Sequence, residues 1–319
     1  MAMGFLMLFI AGVCQGSFGL GYKKYAPFSW AAFWGVYNIL CIITALGFAW
    51  LSVHELPAVI AGRGLSYWAA PALCGALWGL SAVGFSKAIS KIGMSMVYGI
   101  SMGVSTAVGS VVPMLLGGNL PSGGSAALFA VGLALTLAGV AVITAAGVRR
   151  DGKAQGSVLG AILALASGLG SGAMNVGFTY SEDVGAYLTA LGYSQAAVSG
   201  VKWLPVLIGG CVMGMIWCAA ELSLRREWGT VAKKGAGSRT VKLFAVSIVW
   251  YAALLIYGLA SEALGEMGSS IGWILFNSLA LVISVCWGLK TGEWKGKSKT
   301  LLMIGCIIMI IAWLFTAAA

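Results

Sequence analysis

Ten apolar stretches follow one another almost without a break along the 319 residues, near 3-22, 29-51, 68-87, 93-116, 124-147, 157-179, 195-219, 243-264, 267-289 and 300-318. A bilayer core about 30 Å thick takes roughly 20 apolar residues per spanning helix. Inside it every backbone N–H and C=O must be paired within the protein, so only helices and closed barrels cross. Barrel strands are about ten residues long and alternate strictly; these stretches are longer, evenly apolar and rich in Leu, Ala, Met and Gly. The fold class they predict is an all-α polytopic membrane protein with ten transmembrane helices. With 60% hydrophobic and 9% charged residues, a soluble domain has too little polar surface to cover its exterior. The first stretch reads as a membrane helix rather than a signal peptide, because no positive charge precedes it and no small-residue cleavage site follows.

The charges are sorted. All but Arg63 and Lys202 of the 19 Lys and Arg residues fall in alternate gaps: Lys23, Lys24, Lys87, Lys91, Arg149, Arg150, Lys153, Arg225, Arg226, Lys233, Lys234, Arg239, Lys242, Lys290, Lys295, Lys297 and Lys299. Positive-inside bias places those gaps in the cytoplasm and both termini outside, in the periplasm of a Gram-negative host. The net charge of +10 therefore needs no nucleic acid to explain it. On the opposite side lie Glu55, Glu182, Asp183, Glu262 and Glu266, either as solvated loop ends or as an outer vestibule holding a proton-accepting carboxylate.

The segment Arg149-Arg150-Asp151-Gly152-Lys153 divides the chain into five helices over 1-148 and five over 157-319, with 149-156 as a cytoplasmic linker. Five is odd, so the second block enters the membrane upside down relative to the first. Gly12-x-x-x-Gly16 recurs as Gly168-x-x-x-Gly172, and Trp78, Phe85, Ala88 and Gly93 are matched by Trp250, Tyr257, Ala260 and Gly265. Two inverted five-helix repeats of this kind frame many secondary transporters, with the substrate near the midplane. The further pairs Gly75/Gly79, Gly99/Gly103 and Gly210/Gly214 read as close helix contacts.

Polar side chains inside a bilayer pair with one another or face water. Gln15, Asn38, Asn175 and Asn277 fall inside predicted spans; each amide donates and accepts, as sugar hydroxyls do. Interhelical hydrogen bonds are the competing assignment. The apolar faces of a pyranose pack on rings, and Trp34, Tyr37, Trp78, Trp250, Tyr257 and Trp273 lie within spans. Trp78 and Trp250, matched by the repeat, are the foremost stacking candidates, whereas Trp68, Trp228 and Trp294 at helix ends read as interface residues. Lys202 lies about two helical turns into its span. Its ammonium either snorkels to the headgroups or pairs with Glu262 or another acid, which makes the two candidates for proton coupling. His54 reads as a solvated loop residue. The seven cysteines all fall in predicted helices and read as packing residues, and no cofactor or metal is implied. HExxH, Walker and Ser–His signatures are absent, which argues against an enzyme.

Several runs resemble a known family. Gly12-Val13-Cys14-Gln15-Gly16-Ser17-Phe18 leads to Lys23-Lys24 and Phe28-Ser29-Trp30-Ala31-Ala32-Phe33-Trp34; Gly75-Ala76-Leu77-Trp78-Gly79 is followed by Gly84, Ile92-Gly93-Met94-Ser95-Met96, Val108-Gly109 and Pro113. Gly292-Glu293-Trp294-Lys295 precedes a last helix beginning near Leu301-Leu302-Met303-Ile304-Gly305. Across nearly the whole chain these runs are similar to the L-rhamnose-proton symporter family of the drug/metabolite transporter superfamily. The resemblance implies a ten-helix inner-membrane importer of L-rhamnose or a similar deoxysugar, driven by a proton gradient. Combined with the polar inventory, it yields one expectation: proton symport of a sugar by alternating access, with Gln15, Asn38, Trp78, Asn175, Trp250 and Asn277 on the sugar and Glu262 or Lys202 in coupling. The alternatives are an exporter or facilitator of another small metabolite on the same fold, or a membrane sensor or structural subunit, which calls for a signalling domain or long soluble tail.

Overall fold

A computed structural model describes residues 1–22, 25–118, 120–152 and 157–319. Lys23, Lys24, Lys153 and half of the expected linker therefore lie outside the described residues. Twelve α-helices follow in order among those described: α1 (Ala2–Ser17), α2 (Trp30–Ser52), α3 (Leu56–Arg63), α4 (Leu65–Ile92), α5 (Met94–Gly117), α6 (Gly123–Asp151), α7 (Val158–Tyr180), α8 (Glu182–Ala190), α9 (Gln195–Arg225), α10 (Ala236–Leu264), α11 (Gly268–Lys290) and α12 (Gly296–Ala317). All but α3 belong to stretches long and apolar enough to cross a bilayer, ten in number, with α7 and α8 sharing Val158–Ala190.

Local chemistry sets the helix starts. Ser29, Ser157 and Ser194 cap α2, α7 and α9 by accepting from the amides of Ala32, Gly160 and Ala197, donors that have no partner within the helix. α4 passes into α5 through Gly93 alone, at φ +82°, a conformation glycine adopts at no steric cost. Expectation and structure part at two places. The stretch 220-242 reads as a 23-residue linker in sequence, yet α9 continues to Arg225, a 3-10 turn covers Trp228–Ala232, and α10 starts at Ala236. Its alternating charges lie along helix ends rather than in a free loop. The short helices α3 and α8 also escape the hydropathy pattern, being too short to register as spans.

The helices are antiparallel from one spanning segment to the next. One end of the bundle carries most of the Lys and Arg side chains and is called the basic end; the other carries Glu55, Glu182, Asp183, Glu262 and Glu266 and is called the acidic end. The principal packing partners are α4 with α7 and α9, α5 with α7, α6 with α12, α2 with α9 and α10, and α1 with α10 and α11. Glycine makes the closest of these possible. A Cβ on Gly75 or Gly79 of α4 lands within 2.2 Å of the Val206 or Gly210 carbonyl oxygen of α9, and one on Gly209 meets the Ala72 carbonyl oxygen at 2.0 Å. Gly12 and Gly16 seat α1 on Leu279, Ala280 and Ile283 of α11, while Gly168 and Gly172 seat α7 on Val104 and Val108 of α5. Gly103, by contrast, has nothing nearer than Leu137 at 3.7 Å.

Packing is densest toward the acidic end. Ala197–Leu207 of α9 and Gly272–Leu281 of α11 are buried around their whole circumference. At the basic end a polar junction ties three elements together. Ser95 at the start of α5 donates to Asp151 (2.5 Å), Arg150 donates to the same carboxylate (2.7 Å), and the Arg150 guanidinium lies 4.3 Å above the Trp294 ring in the α11–α12 turn. Trp294, an interface residue in the sequence reading, is thus part of a cation–π contact.

Candidate functional site

The polar and aromatic residues of the bundle sort into three layers along its axis. Nearest the basic end, α2, α4, α9 and α10 contribute a ring-and-amide layer. Trp78 of α4 and Trp250 of α10 face each other with centroids 5.6 Å apart and planes only 18° from parallel. Trp78 lies flat on Gly210 of α9, where a Cβ would sit 2.2 Å from the ring. Tyr37 of α2 approaches Trp250 at 6.2 Å, and Trp34 meets Tyr37 edge-on at 5.6 Å. Asn38, on the next residue of α2, lies against Gly214 of α9, with its Nδ2 2.6 Å from where a Cβ would be. The sequence-predicted trio Asn38, Trp78 and Trp250 is therefore brought to one region.

Gln15 reaches the same level on another helix. Gly4 lies beside Leu264 and Gly21 beside Val246, so the antiparallel α1 sets Gln15 opposite the turn of α10 that holds Trp250. It shares a face of α1 with buried Leu8 and Ala11, and its Oε1 is buried with no hydrogen-bond partner. The Tyr251 hydroxyl, which the sequence reading passed over, is likewise buried and unpartnered. Unpaired buried oxygens are rare in folded proteins because each costs free energy, and a hydroxylated ligand is one way to satisfy Gln15; the Tyr251 hydroxyl lies instead beside Gly200 of α9 and Phe48 of α2.

Above this layer, toward the acidic end, five aromatic rings form a plug. Phe178 stacks on Trp203 at 4.5 Å; Tyr257 touches Trp203 at 6.0 Å, Trp273 at 5.4 Å and Phe276 at 5.1 Å. All five are buried. Tyr257 follows Trp250 by seven residues, about 10 Å along the helix. Asn175 pins the plug. Its Nδ2 donates to the carbonyls of Gly109 (2.7 Å) and Ser269 (3.0 Å), and its Oδ1 accepts from the Tyr257 hydroxyl at 2.7 Å. One amide thus joins α5, α7, α10 and the start of α11, while Trp273 donates to the Ser105 carbonyl at 3.1 Å. Asn175 is committed to interhelical bonds, and it stands apart from the Trp78–Trp250 layer. Asn277, 7% exposed, returns its Nδ2 to the Trp273 carbonyl of its own helix at 2.9 Å and leaves its Oδ1 for other partners.

The third layer is charged. Lys202 of α9 is 1% exposed and does not snorkel. Its ammonium donates to Glu262 of α10 at 2.6 Å and to Glu182 of α8 at 2.5 Å, and it lies 4.3 Å above the Phe178 ring of the plug. Pairing with Glu262 was one of the two sequence alternatives for this lysine. In sequence Glu182 stands only among the outer-side acids, since nothing in the spacing of residues 182, 202 and 262 shows that three elements converge. His54 contributes its backbone carbonyl to the Tyr193 hydroxyl at 2.7 Å. Among the described residues, no group of three or more His, Cys, Asp or Glu side chains is arranged to hold a metal.

Ten apolar helices around a buried layer of rings and amides, closed at one end by an aromatic plug, have the build of a multi-pass membrane transporter. The family model of the L-rhamnose-proton symport protein matches residues 1–317, and the chain belongs to that family. It is 25% identical over 332 aligned positions to the L-rhamnose-proton symporter of Escherichia coli strain 55989, covering 97% of this chain and 95% of the relative. The L-rhamnose-proton symporter of Shigella flexneri shows the same identity and coverage. A crystal structure 13% identical in sequence superposes with a TM-score of 0.62 over 99% of this chain and 98% of its own, a likeness of fold.

Proposed function

We propose that this chain imports L-rhamnose or a closely related sugar together with protons, by alternating access across a bacterial inner membrane. Family membership and the substrate named for the relatives support the sugar and the proton. Within the molecule, the observation that carries the reading is the face-to-face Trp78–Trp250 pair, in one region with Asn38 and level with Gln15, whose Oε1 is buried and unpartnered. A pyranose offers C–H faces to rings and hydroxyls to amides. Exchanging one indole for the sugar preserves the stacking on the other, a contact worth about 0.5–1.5 kcal/mol beyond area burial for ring pairs. Asn38 and Gln15 read the hydroxyls, Asn277 adds its Oδ1, and Asn175 acts on the sugar through the Tyr257 plug that closes over it. Lys202 and Glu262 serve coupling.

The same reading divides the chain into inverted halves at 1–148 and 157–319, joined by 149–156. Packing supports it: the contact of α4 with α7 has its counterpart in α10 with α1, α5 with α7 in α11 with α1, and α4 with α9 in α10 with α2. The matched tryptophans meet where a twofold axis between such halves passes. Positive-inside bias sets the basic end in the cytoplasm and both termini in the periplasm. The plugged acidic end then makes this a conformation closed to the periplasm.

Counterflow tests the sugar assignment. Proteoliposomes loaded with unlabelled L-rhamnose take up a transient excess of labelled L-rhamnose, and related 6-deoxyhexoses compete in order of fit. Counterflow that only an unrelated metabolite supports overturns the assignment.

A further inference from the structure

The coupling reading above names Lys202 and Glu262; the geometry points to Glu182 as a third and decisive member. Resting on that reading, we propose that Glu182, carried by α8, is where the periplasmic proton is taken up, and that docking of α8 onto Lys202 is the closure step which that proton promotes.

Three observations carry this. First, the lysine is a fixed point. It is 1% exposed, its ammonium rests on the Phe178 ring, and its stem fills the space beside Gly185 of α8, where a Cβ would meet Lys202 Cδ at 2.8 Å. A buried ammonium is retained only when paired. Second, one carboxylate is enough to neutralise it, and two are present at hydrogen-bonding distance. With both ionised the triad carries a net charge of −1; with one proton it is neutral. Third, the two acids are not equivalent. Glu262 is 35% exposed and belongs to the long helix α10, whereas Glu182 is 61% exposed and opens a helix of nine residues. Glu182 is thus the more open of the two acids to the outer side, and it is carried by a short helix rather than a spanning one.

With α8 withdrawn, Lys202 and Glu262 form a neutral pair and Glu182 stands in water. Docking α8 brings a second negative charge onto a pair that is already balanced, against a nearly dry aromatic layer. A proton from the same side cancels that charge, so proton uptake and closure favour each other. Lys202 touches the plug directly through Phe178, and Phe178 stacks on Trp203; the charge state of the triad is thereby in contact with the rings that seal the sugar layer. Other charged or titratable groups on this face are held elsewhere or stand apart. Arg63 lies over Tyr67 and Tyr187 and donates to the Asp183 carbonyl. None of Arg63, Asp183, Glu55, His54, Tyr180 or Glu266 forms an ion pair with the triad among the described residues.

The test compares Glu182→Gln with Glu262→Gln, and with Asp183→Asn as a neighbouring control, in reconstituted full-length protein. Glu182→Gln is expected to lose about tenfold in gradient-driven accumulation, the size of a typical coupling between two ligands. Asp183→Asn accumulates as wild type. Glu182→Gln that accumulates sugar like wild type overturns the proposal. A second readout needs no substrate: hydrogen exchange of the α8 amides, corrected for intrinsic rates. Protection in wild type is expected to rise as pH falls from neutral into the carboxylate range, and in Glu182→Gln to stay high throughout. Wild-type protection that ignores pH, or a variant that keeps the pH response, also overturns it. Failure of rhamnose counterflow in the wild type strikes the sugar assignment alone and leaves the exchange experiment standing.

Discussion

At Asn175 a single amide holds four helices. Its replacement by Ala strands the carbonyls of Gly109 and Ser269 and the Tyr257 hydroxyl in a dry layer, at about 1–3 kcal/mol for a buried group left unpaired. The expected outcome is a lowered midpoint in a detergent thermal-unfolding assay together with slowed transport. Asn38→Ala is expected to behave differently, because Asn38 packs at Gly214 in the layer proposed for the sugar: the unfolding midpoint stays near wild type while the apparent affinity for sugar falls about tenfold, the loss expected from one ligand hydrogen bond. Equal destabilisation by the two substitutions contradicts the division of labour between them. Trp78→Phe keeps a ring face and is expected to retain most transport, whereas Trp78→Ala removes both the stack on Trp250 and the cover over Gly210. Sequence reading found the carboxamides but had no means of separating them, since an amide spent on its neighbours and an amide free for a ligand look alike until the surrounding carbonyls are placed.

Among the elements, the α4–α9 crossing is the most demanding contact. Its glycines oppose backbone carbonyls, which cannot turn aside as a flexible side chain can. Gly75→Ala or Gly79→Ala is therefore expected to cost about 1–3 kcal/mol, as overpacking does elsewhere, read as a lower unfolding midpoint; Gly103→Ala, where the nearest atom is 3.7 Å away, is expected to leave it unchanged. The ten spans were legible because hydropathy at this length has one structural solution. The short helices were not. α8 is nine residues long and carries Glu182 and Asp183, so it reads as a polar loop although it supplies one arm of the charged triad. Likewise Trp294 at a helix end is indistinguishable in sequence from an interface tryptophan, and only the fold brings Arg150 over its ring.

For the whole molecule, the proposed function assigns sugar binding and the response to protons to different layers of one bundle with few charged groups. Rings and amides lie near the middle, a dry aromatic plug lies above them, and a lysine shared by two glutamates rests on the plug. On the proposed function, opening the acidic end would separate the Tyr257–Asn175 bond and the Lys202–Glu182 pair, so that the two ligands would act on one closure. A change of conformation is driven only by ligands that bind its two states differently, and on the proposed function each ligand would have a layer of its own in which to do so. The most direct measurement is uptake of radiolabelled L-rhamnose into proteoliposomes under an inward proton gradient, repeated after a protonophore. Proton symport predicts accumulation above equilibrium that collapses to equilibrium when the protonophore is added. Uptake that stops at equilibrium with the gradient intact would contradict it and identify a facilitator on the same fold.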